Sequence, residues 1–237
     1  MHSNLSRDEK IIKLALSYLG VSREQSTDGA LADDRKPDRE AITELIKKSI
    51  LMLDEEDVFR VCGRIFDMDK NAEGFYRIRE ADIDLISEDL KVYFEGCDRI
   101  CIIASTLGSQ ADTLIRKTMA KDGAFGSVLD ATSGAYLECM LDEAESTYIS
   151  GPRTFRFAPG YGDLALETNV KLSAAIDIYR KIGVTCTDGG TFIPRKTMLG
   201  MIGLAPEGTK AVTERSCGRC TRKDICSIRK GGDRCWI

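Results

Sequence analysis

One segment of the chain carries a cation, a tight turn and an aromatic ring within six residues, from Arg156 to Tyr161. A guanidinium can bind a carboxylate through two parallel hydrogen bonds. Pro159 and Gly160 favour a tight turn, in which the glycine lets a ligand approach the backbone closely. The ring of Tyr161 can offer its face to a cation or its hydroxyl to a polar group. This segment predicts a ligand with a carboxylate, a positive centre and a flat base.

S-Adenosylmethionine has all three of these groups, so it is the ligand that the segment suggests. The alternative is a surface turn whose arginine pairs with a neighbouring aspartate or glutamate. The spacing alone favours this alternative, because short motifs often match by chance.

The chain contains a single histidine, His2, near its N-terminus. Nucleophilic triads need an imidazole beside the nucleophile, and His-ligated metal sites need several imidazoles, so both are excluded. The glycine-rich patterns that cradle phosphates are also absent, which argues against a nucleoside triphosphate or dinucleotide enzyme. Whatever chemistry the protein supports proceeds without a histidine base.

Four of the nine cysteines cluster near the C-terminus with the spacing x2, x5 and x8: Cys217, Cys220, Cys226 and Cys235. Four thiolates can ligate zinc or an iron–sulfur cluster, and flanking basic residues favour the thiolate form. The alternative is a disordered basic tail with redox-active thiols. The scattered cysteines are expected to be small buried hydrophobic residues: Cys62, Cys97, Cys101, Cys139 and Cys186.

The net charge is −4, but residues 215–237 hold seven basic and two acidic side chains. A basic tail therefore follows an acidic body, which argues against general nucleic-acid binding. The longest apolar run, at 100–104, is too short to span a membrane. The polar N-terminus lacks the apolar core of a signal peptide. We expect a cytoplasmic protein with no nucleic-acid or membrane partner.

Periodicity predicts a mixture of helices and strands without regular βαβ alternation. Segment 67–71 begins like a calcium loop, but Ala72 and Ile78 stand where glycine and glutamate are required, so it predicts a polar hairpin or loop instead. Helices are predicted at 11–19, 39–53, 83–94, 109–121, 128–145 and 163–182, with Leu172, Ile176 and Tyr179 on one face of the last. Strands are predicted at 58–68, 99–104, 184–193 and 198–204, and loops at 26–39 and 150–162.

The segment Arg156-x-Ala-Pro-Gly-Tyr161 resembles the S-adenosylmethionine loop of the activation domain of cobalamin-dependent methionine synthase. The likeness is good over about residues 97–206 and weaker before them. Further segments resemble the free-standing bacterial members of that family: Tyr18-Leu-Gly20, Ser105-Thr-Leu-Gly108, Val128-Leu-Asp-Ala131 and Lys196-Thr-Met-Leu-Gly-Met-Ile-Gly203.

The resemblance implies that the S-adenosylmethionine site is lined by Arg156, Ala158, Gly160 and Tyr161. A glutamate on the preceding helix contributes in the family, and Glu138 matches it best, although periodicity alone predicts a solvated surface residue there. The family's large enzymes carry tyrosines after the last core strand, whereas residues 206–211 contain no aromatic side chain.

The implied function is that of an accessory domain of a methyltransferase. It would bind S-adenosylmethionine and support the reductive methylation, or reactivation, of cobalamin on a separate methionine synthase or other corrinoid protein. A flavodoxin-like or ferredoxin-like protein would supply the electron. Two alternatives dispense with S-adenosylmethionine: a module that docks on a corrinoid protein, and an iron–sulfur reductive activator that uses the C-terminal cysteines.

These observations together predict an α+β fold, with helices around a bent, mainly antiparallel sheet and a small cysteine-rich tail. They also predict three parts: an N-terminal portion at 1–96, a ligand-binding core at 97–206 and the basic tail at 207–237.

Overall fold

A computed structural model of the protein describes residues 5–21, 38–209 and Asp224. Helices and strands alternate irregularly along the chain. The described elements are α1 (Arg7–Tyr18), α2 (Arg39–Glu55), β1 (Arg60–Lys70), β2 (Tyr76–Ile78), β3 (Ile83–Leu85), α3 (Glu88–Tyr93), β4 (Arg99–Thr106), α4 (Gly108–Lys121), α5 (Gly123–Tyr148), α6 (Thr168–Ile176), α7 (Ile178–Ile182), β5 (Thr185–Cys186), β6 (Phe192–Ile193) and β7 (Thr197–Leu204).

The main sheet contains five strands in the order β3-β2-β1-β4-β7, and every neighbouring pair is antiparallel. Strands β5 and β6 form a separate antiparallel pair. The sheet is curled and helices accompany it, so the predicted α+β class with a bent, mainly antiparallel sheet is confirmed.

The interior strand β4 is apolar from Ile100 to Ala104, where both of its faces are covered. Ile100 and Ile102 belong to one buried cluster, which includes residues of α3, α6 and α7. Cys101 and Ile103 belong to a second cluster on the opposite face, with Leu141 of α5. Side chains alternate between the faces of a strand, so a strand buried on both sides shows a continuous apolar run in sequence.

The chain divides into two compact units. The first unit contains the described residues of 5–57 and 113–139, and helix α1 packs on α2 within it. The second contains residues 58–112 and 140–209, including the whole sheet. The division at 96 and 206 stays a prediction.

Helix α1 is held to α2 and α5 in the first unit by one carboxylate. Asp54 accepts two hydrogen bonds from the Arg7 guanidinium, at 3.0 and 2.6 Å, and one from the Tyr136 hydroxyl at 2.8 Å. The Arg7 guanidinium also lies over the Tyr136 ring, 5.7 Å from its centre. Burial and the Asp54 carboxylate raise the pKa of Tyr136, which keeps its hydroxyl protonated as a donor.

Two predicted helices are wrong in part. Residues 83–85 form the edge strand β3, and the helix starts only at Glu88, after Ser87 caps it through the Leu90 backbone N–H. The prediction at 163–182 starts five residues early and misses a break at Asp177, which adopts a left-handed φ of 54°. Tyr179 follows this break and is 70% exposed, so it does not share a buried face with Leu172 and Ile176.

The other predicted helices and strands are confirmed within the described residues, with differences at their ends. Helices lie at the positions predicted at 11–19, 39–53, 109–121 and 128–145, although α1 ends at Tyr18, and strands lie at those predicted at 58–68, 99–104 and 198–204, although β1 begins at Arg60. Residues 184–193 form the β5–β6 pair, and 67–71 run from β1 into the turn of a hairpin. Residues 26–37 of the predicted loop at 26–39 lie outside the described residues. No described helix is long and apolar enough to cross a membrane.

Candidate functional site

The segment 152–157 lies alongside strand β7 and pairs with it through two isolated β-bridges, at Arg153 and Phe157, although the sequence predicted only a loop. The Phe157 N–H donates to the Met201 carbonyl at 2.8 Å, and the Met201 N–H returns a bond to the Phe157 carbonyl at 2.7 Å. The Thr154 N–H donates to the Gly203 carbonyl at 2.9 Å, and the Gly203 N–H donates to the Thr154 hydroxyl at 2.9 Å. This pairing anchors the candidate loop on the sheet.

The side chain of Arg156 crosses β7 at Gly200. A β-carbon at Gly200 would lie 2.3 Å from Cγ and 2.6 Å from Cδ of Arg156, so only glycine leaves room for the arginine stem. Gly200 pairs directly with Ile103, and opposed residues of an antiparallel pair share a face. The arginine therefore lies on the face where Ile103 packs with Leu141 of α5.

The Arg156 guanidinium contacts two carboxylates of helix α5. Its Nη1 atom lies 3.1 Å from Oδ1 of Asp142 and also donates to Oε1 of Glu145. The Arg156 side chain is 5% exposed, that of Glu145 is 11% exposed and that of Asp142 is 41% exposed. The structure thus contains the arginine–carboxylate pairing of the alternative interpretation, but the arginine is buried and not part of a surface turn.

The turn that follows has the predicted geometry. The Tyr161 N–H donates to the Ala158 carbonyl at 3.0 Å, which closes a four-residue turn with Pro159 and Gly160 at its centre. Gly160 has a φ of 89°, and a type II turn requires a positive φ at that position. The Gly160 N–H donates to the Leu164 carbonyl at 2.8 Å and ties the turn to the next segment.

The ring of Tyr161 stands at the surface and is 55% exposed. It packs edge-to-face with Phe157, with 6.0 Å between the two ring centres. The ring centre of Phe157 lies 5.1 Å from that of Tyr93 in α3. A row of three rings thus connects the exposed tyrosine to the buried core. Phe157 thus supports the Tyr161 ring, while much of the surface of that ring stays accessible.

Asp163 fastens the end of the loop to the start of α3, and sequence reasoning did not single it out. Its carboxylate accepts from the Ser87 hydroxyl and, at 2.7 Å, from the Glu88 N–H. Partial burial opposes ionisation, but the hydrogen bonds from Ser87 and from the N–H groups of Glu88 and Asp89 outweigh it and lower the pKa of Asp163. The neighbouring Gly162 has a φ of 56°, a left-handed conformation that favours glycine, and it lies beside the Asp89 carboxylate.

Glu138 lies on α5 and is half-buried. Glu138, Asp142 and Glu145 are spaced i, i+4 and i+7, which places them along one face of this helix. Sequence reasoning identified only Glu138 and missed Asp142 and Glu145, which both contact Arg156. The helical spacing of the three acids was the signal that would have found them. The role of Glu138 as a ligand-binding residue stays a prediction.

The predicted metal ligands lie outside the described residues: Cys217, Cys220, Cys226 and Cys235. Within 5–21 and 38–209, no group of three or more histidine, cysteine or acidic side chains is arranged to hold a metal ion. Four of the scattered cysteines are buried, as predicted, and Cys186 is half-buried. Burial raises the pKa of Cys101 to about 11, so this thiol stays protonated.

Comparison with known proteins identifies the fold. No protein-family model matches the chain, and no curated protein is similar to it in sequence. The crystal structure of the MetH reactivation domain bound to AdoHcy is similar, with a TM-score of 0.56 and 15% sequence identity. The alignment covers 98% of this chain and 85% of that chain. The chain has the fold of the MetH reactivation domain. At this identity the likeness establishes the fold alone.

Proposed function

We propose that this protein binds S-adenosylmethionine at the loop of Arg156, Ala158, Gly160 and Tyr161. The observation that carries the proposal is the position of Arg156: a buried arginine anchored on β7, in a fold shared with a domain whose crystal structure contains AdoHcy. AdoHcy is the product that remains when S-adenosylmethionine gives up its methyl group, so a reactivation domain that binds it can bind the methyl donor as well.

The chemistry of the loop suits such a ligand. The guanidinium of Arg156 would receive the ligand carboxylate, because a planar fork of donors matches two carboxylate oxygens. The positive φ of Gly160 favours glycine, and because glycine has no side chain a ligand can approach the backbone of the turn. The ring of Tyr161 is exposed and packs edge-to-face with Phe157, so it can stack on a flat base.

A positively charged sulfonium requires a balancing negative charge. The acidic face of α5 supplies carboxylates for this purpose, and Glu138 is our proposed residue. A carboxylate near the sulfonium would favour S-adenosylmethionine over its neutral thioether product, since opposite charges attract most strongly where water is partly excluded.

We further propose that the bound methyl group serves to reactivate a separate cobalamin-dependent methionine synthase or other corrinoid protein. The cobalamin belongs to the partner and is the methyl acceptor. One electron from a flavodoxin-like or ferredoxin-like protein and one methyl group from S-adenosylmethionine convert inert cob(II)alamin to methylcobalamin and release S-adenosylhomocysteine. The protein would hold donor and acceptor in line, and this task needs no general base.

Methylation of the partner's cobalamin tests this function. The protein, S-adenosylmethionine and a chemical reductant are incubated anaerobically with a methionine synthase lacking its own activation domain and held in the cob(II)alamin form. We expect the absorption spectrum of methylcobalamin to appear only when the protein and S-adenosylmethionine are both present.

Two other results would replace the proposal. If the protein binds the corrinoid enzyme but not S-adenosylmethionine, it is a docking module. If cobalt is reduced without S-adenosylmethionine, and the anaerobically purified protein contains iron, it is a reductive activator that works through Cys217, Cys220, Cys226 and Cys235.

A further inference from the structure

The two carboxylates that hold Arg156 differ in their exposure to solvent. Glu145 is buried with the arginine, at 11% exposure of its side chain, whereas Asp142 is 41% exposed. Both contact the same nitrogen, Nη1, and the Asp142 contact is 3.1 Å long. The guanidinium thus contacts one buried carboxylate and one carboxylate that reaches the solvent.

These two ion pairs have different energetic roles. A buried charge that loses its partner is strongly destabilised, so Glu145 is needed to keep Arg156 in place. The Asp142 carboxylate is 41% exposed, so water can replace the guanidinium as its partner, while the buried guanidinium keeps its contact with Glu145. Asp142 can therefore be exchanged for another carboxylate at small cost, provided that its own charge finds a new partner.

An α-amino acid group carries a carboxylate, which can pair with Arg156, and an ammonium group, which can pair with Asp142. We infer that the amino acid end of the ligand inserts between Arg156 and Asp142, with its carboxylate on the guanidinium and its α-ammonium group on the Asp142 carboxylate. One protein ion pair is thereby replaced by two protein–ligand ion pairs. The inference rests on the proposed function and adds a specificity-determining residue to it: Asp142 would make the site selective for ligands that carry an α-amino group.

The test combines two ligands with two proteins in calorimetric titrations. The ligands are S-adenosylmethionine and its analogue without the α-amino group, which keeps the carboxylate and the sulfonium. The proteins are the wild type and Asp142→Asn. For the wild type we expect the analogue to bind about tenfold more weakly, which corresponds to about 1.4 kcal/mol. For Asp142→Asn we expect the two ligands to bind with nearly equal affinity.

Glu143→Gln is the matched control, because Glu143 is exposed and follows Asp142 on the same helix. This variant should discriminate between the ligands as the wild type does. Thermal unfolding of each variant shows whether the fold is intact.

The possible results separate this inference from the proposed function. If Asp142→Asn weakens both ligands by the same factor, or neither, Asp142 does not read the amino group and the inference is wrong while the proposed function stands. If the wild type binds neither ligand, even with a corrinoid enzyme present, the proposed function fails and this inference fails with it.

Discussion

The methylene stem of Arg156 passes directly over the α-carbon of Gly200, at a distance that excludes a side chain at position 200. Strand β7 thereby sets the path of the arginine from the candidate loop to the carboxylates of α5. Gly200→Ala should push Arg156 away from Asp142 and Glu145, since the new methyl group would overlap Cγ and Cδ. Overpacking of this kind costs about 1–3 kcal/mol in stability. Chemical denaturation and S-adenosylmethionine titration together measure the effect, and we expect lower stability and weaker binding.

Gly189→Ala is the control for this substitution. Nothing lies within 4 Å of a β-carbon at Gly189, and its φ is not in the left-handed region. It should change neither stability nor ligand affinity. If Gly200→Ala behaves like Gly189→Ala, the path that we describe for the arginine stem is wrong.

The anchor of the loop on α3 should be sensitive to acid. The hydrogen bonds from Ser87 and Glu88 lower the pKa of Asp163 in the folded protein. Its contribution to stability is therefore complete above the pKa of an aspartate in the unfolded chain, which is about 4. The contribution is lost as pH falls through the lower, folded-state pKa. Asp163→Asn should cost about 0.5–1 kcal/mol near neutral pH, the low end for a helix-capping carboxylate because the residue is exposed.

The difference in unfolding free energy between wild type and Asp163→Asn, measured from pH 7 to pH 2, checks this prediction. The difference should shrink as the pH falls. Asp188→Asn, another exposed carboxylate of the same unit, should show no comparable change. A difference for Asp163→Asn that stays constant to pH 2 contradicts the proposed cause.

In the first unit, the Tyr136 hydroxyl is the donor that ties α5 to α2. Tyr136→Phe removes the hydrogen bond to Asp54 but keeps the ring beneath the Arg7 guanidinium. We expect a loss of about 1 kcal/mol in the free energy of unfolding, the usual net value of such a bond. Tyr179→Phe, at a 70% exposed position, should lose nothing.

The raised pKa of Tyr136 also predicts that the stability of the protein falls at alkaline pH. Because the pKa of Tyr136 is raised in the folded protein, its stabilising effect is complete below the unfolded pKa of about 10 and is lost as the pH rises towards the folded value. The stability of the wild type should therefore approach that of Tyr136→Phe at high pH. Equal sensitivity of both proteins to alkali would show that another group is responsible.

The role of Tyr161 can be divided into that of its ring and that of its hydroxyl. If the ring stacks on the ligand base, Tyr161→Phe should bind S-adenosylmethionine with nearly unchanged affinity. Tyr161→Ala should weaken binding by roughly tenfold, because it removes both the aromatic stacking, which contributes about 0.5–1.5 kcal/mol, and the contact area of the ring. Equally strong losses in both variants would assign the effect to the hydroxyl.

Much of the fold was predictable because its strongest signals are local. The apolar run of β4 and the i, i+3, i+4 pattern of α2 each reflect burial, and both elements lie where their patterns indicated. The prediction of one helix at 83–94 was wrong in part because the segment contains a three-residue strand followed by a short helix. The apolar residues of the two elements together give a mixed spacing that does not separate them. The break at Asp177 could not be predicted because no glycine or proline lies at this position.

The candidate site was predictable only in its loop. The Pro159–Gly160 turn follows from local backbone preference, and the structure contains it. The partners of Arg156 come from a helix more than ten residues earlier and from a glycine on β7, and such contacts depend on the tertiary arrangement. Asp163 was missed for the same reason, since Ser87 and Glu88 are distant in sequence.

Calorimetric titration of S-adenosylmethionine into the wild type, Arg156→Ala and the control Arg180→Ala tests the central claim most directly. Arg180 is 83% exposed, so its removal should leave affinity unchanged. Arg156→Ala should reduce affinity at least about tenfold, the scale of a hydrogen-bonded charge.

Removing Arg156 also leaves Glu145 without this partner, so thermal unfolding is used to check that the variant is folded. Tyr161→Ala provides a second loop variant that leaves the ion pairs in place. Binding to the wild type that both loop variants weaken would support the account. Wild-type affinity in folded Arg156→Ala, or no binding to the wild type at millimolar ligand with a corrinoid enzyme present, would contradict it.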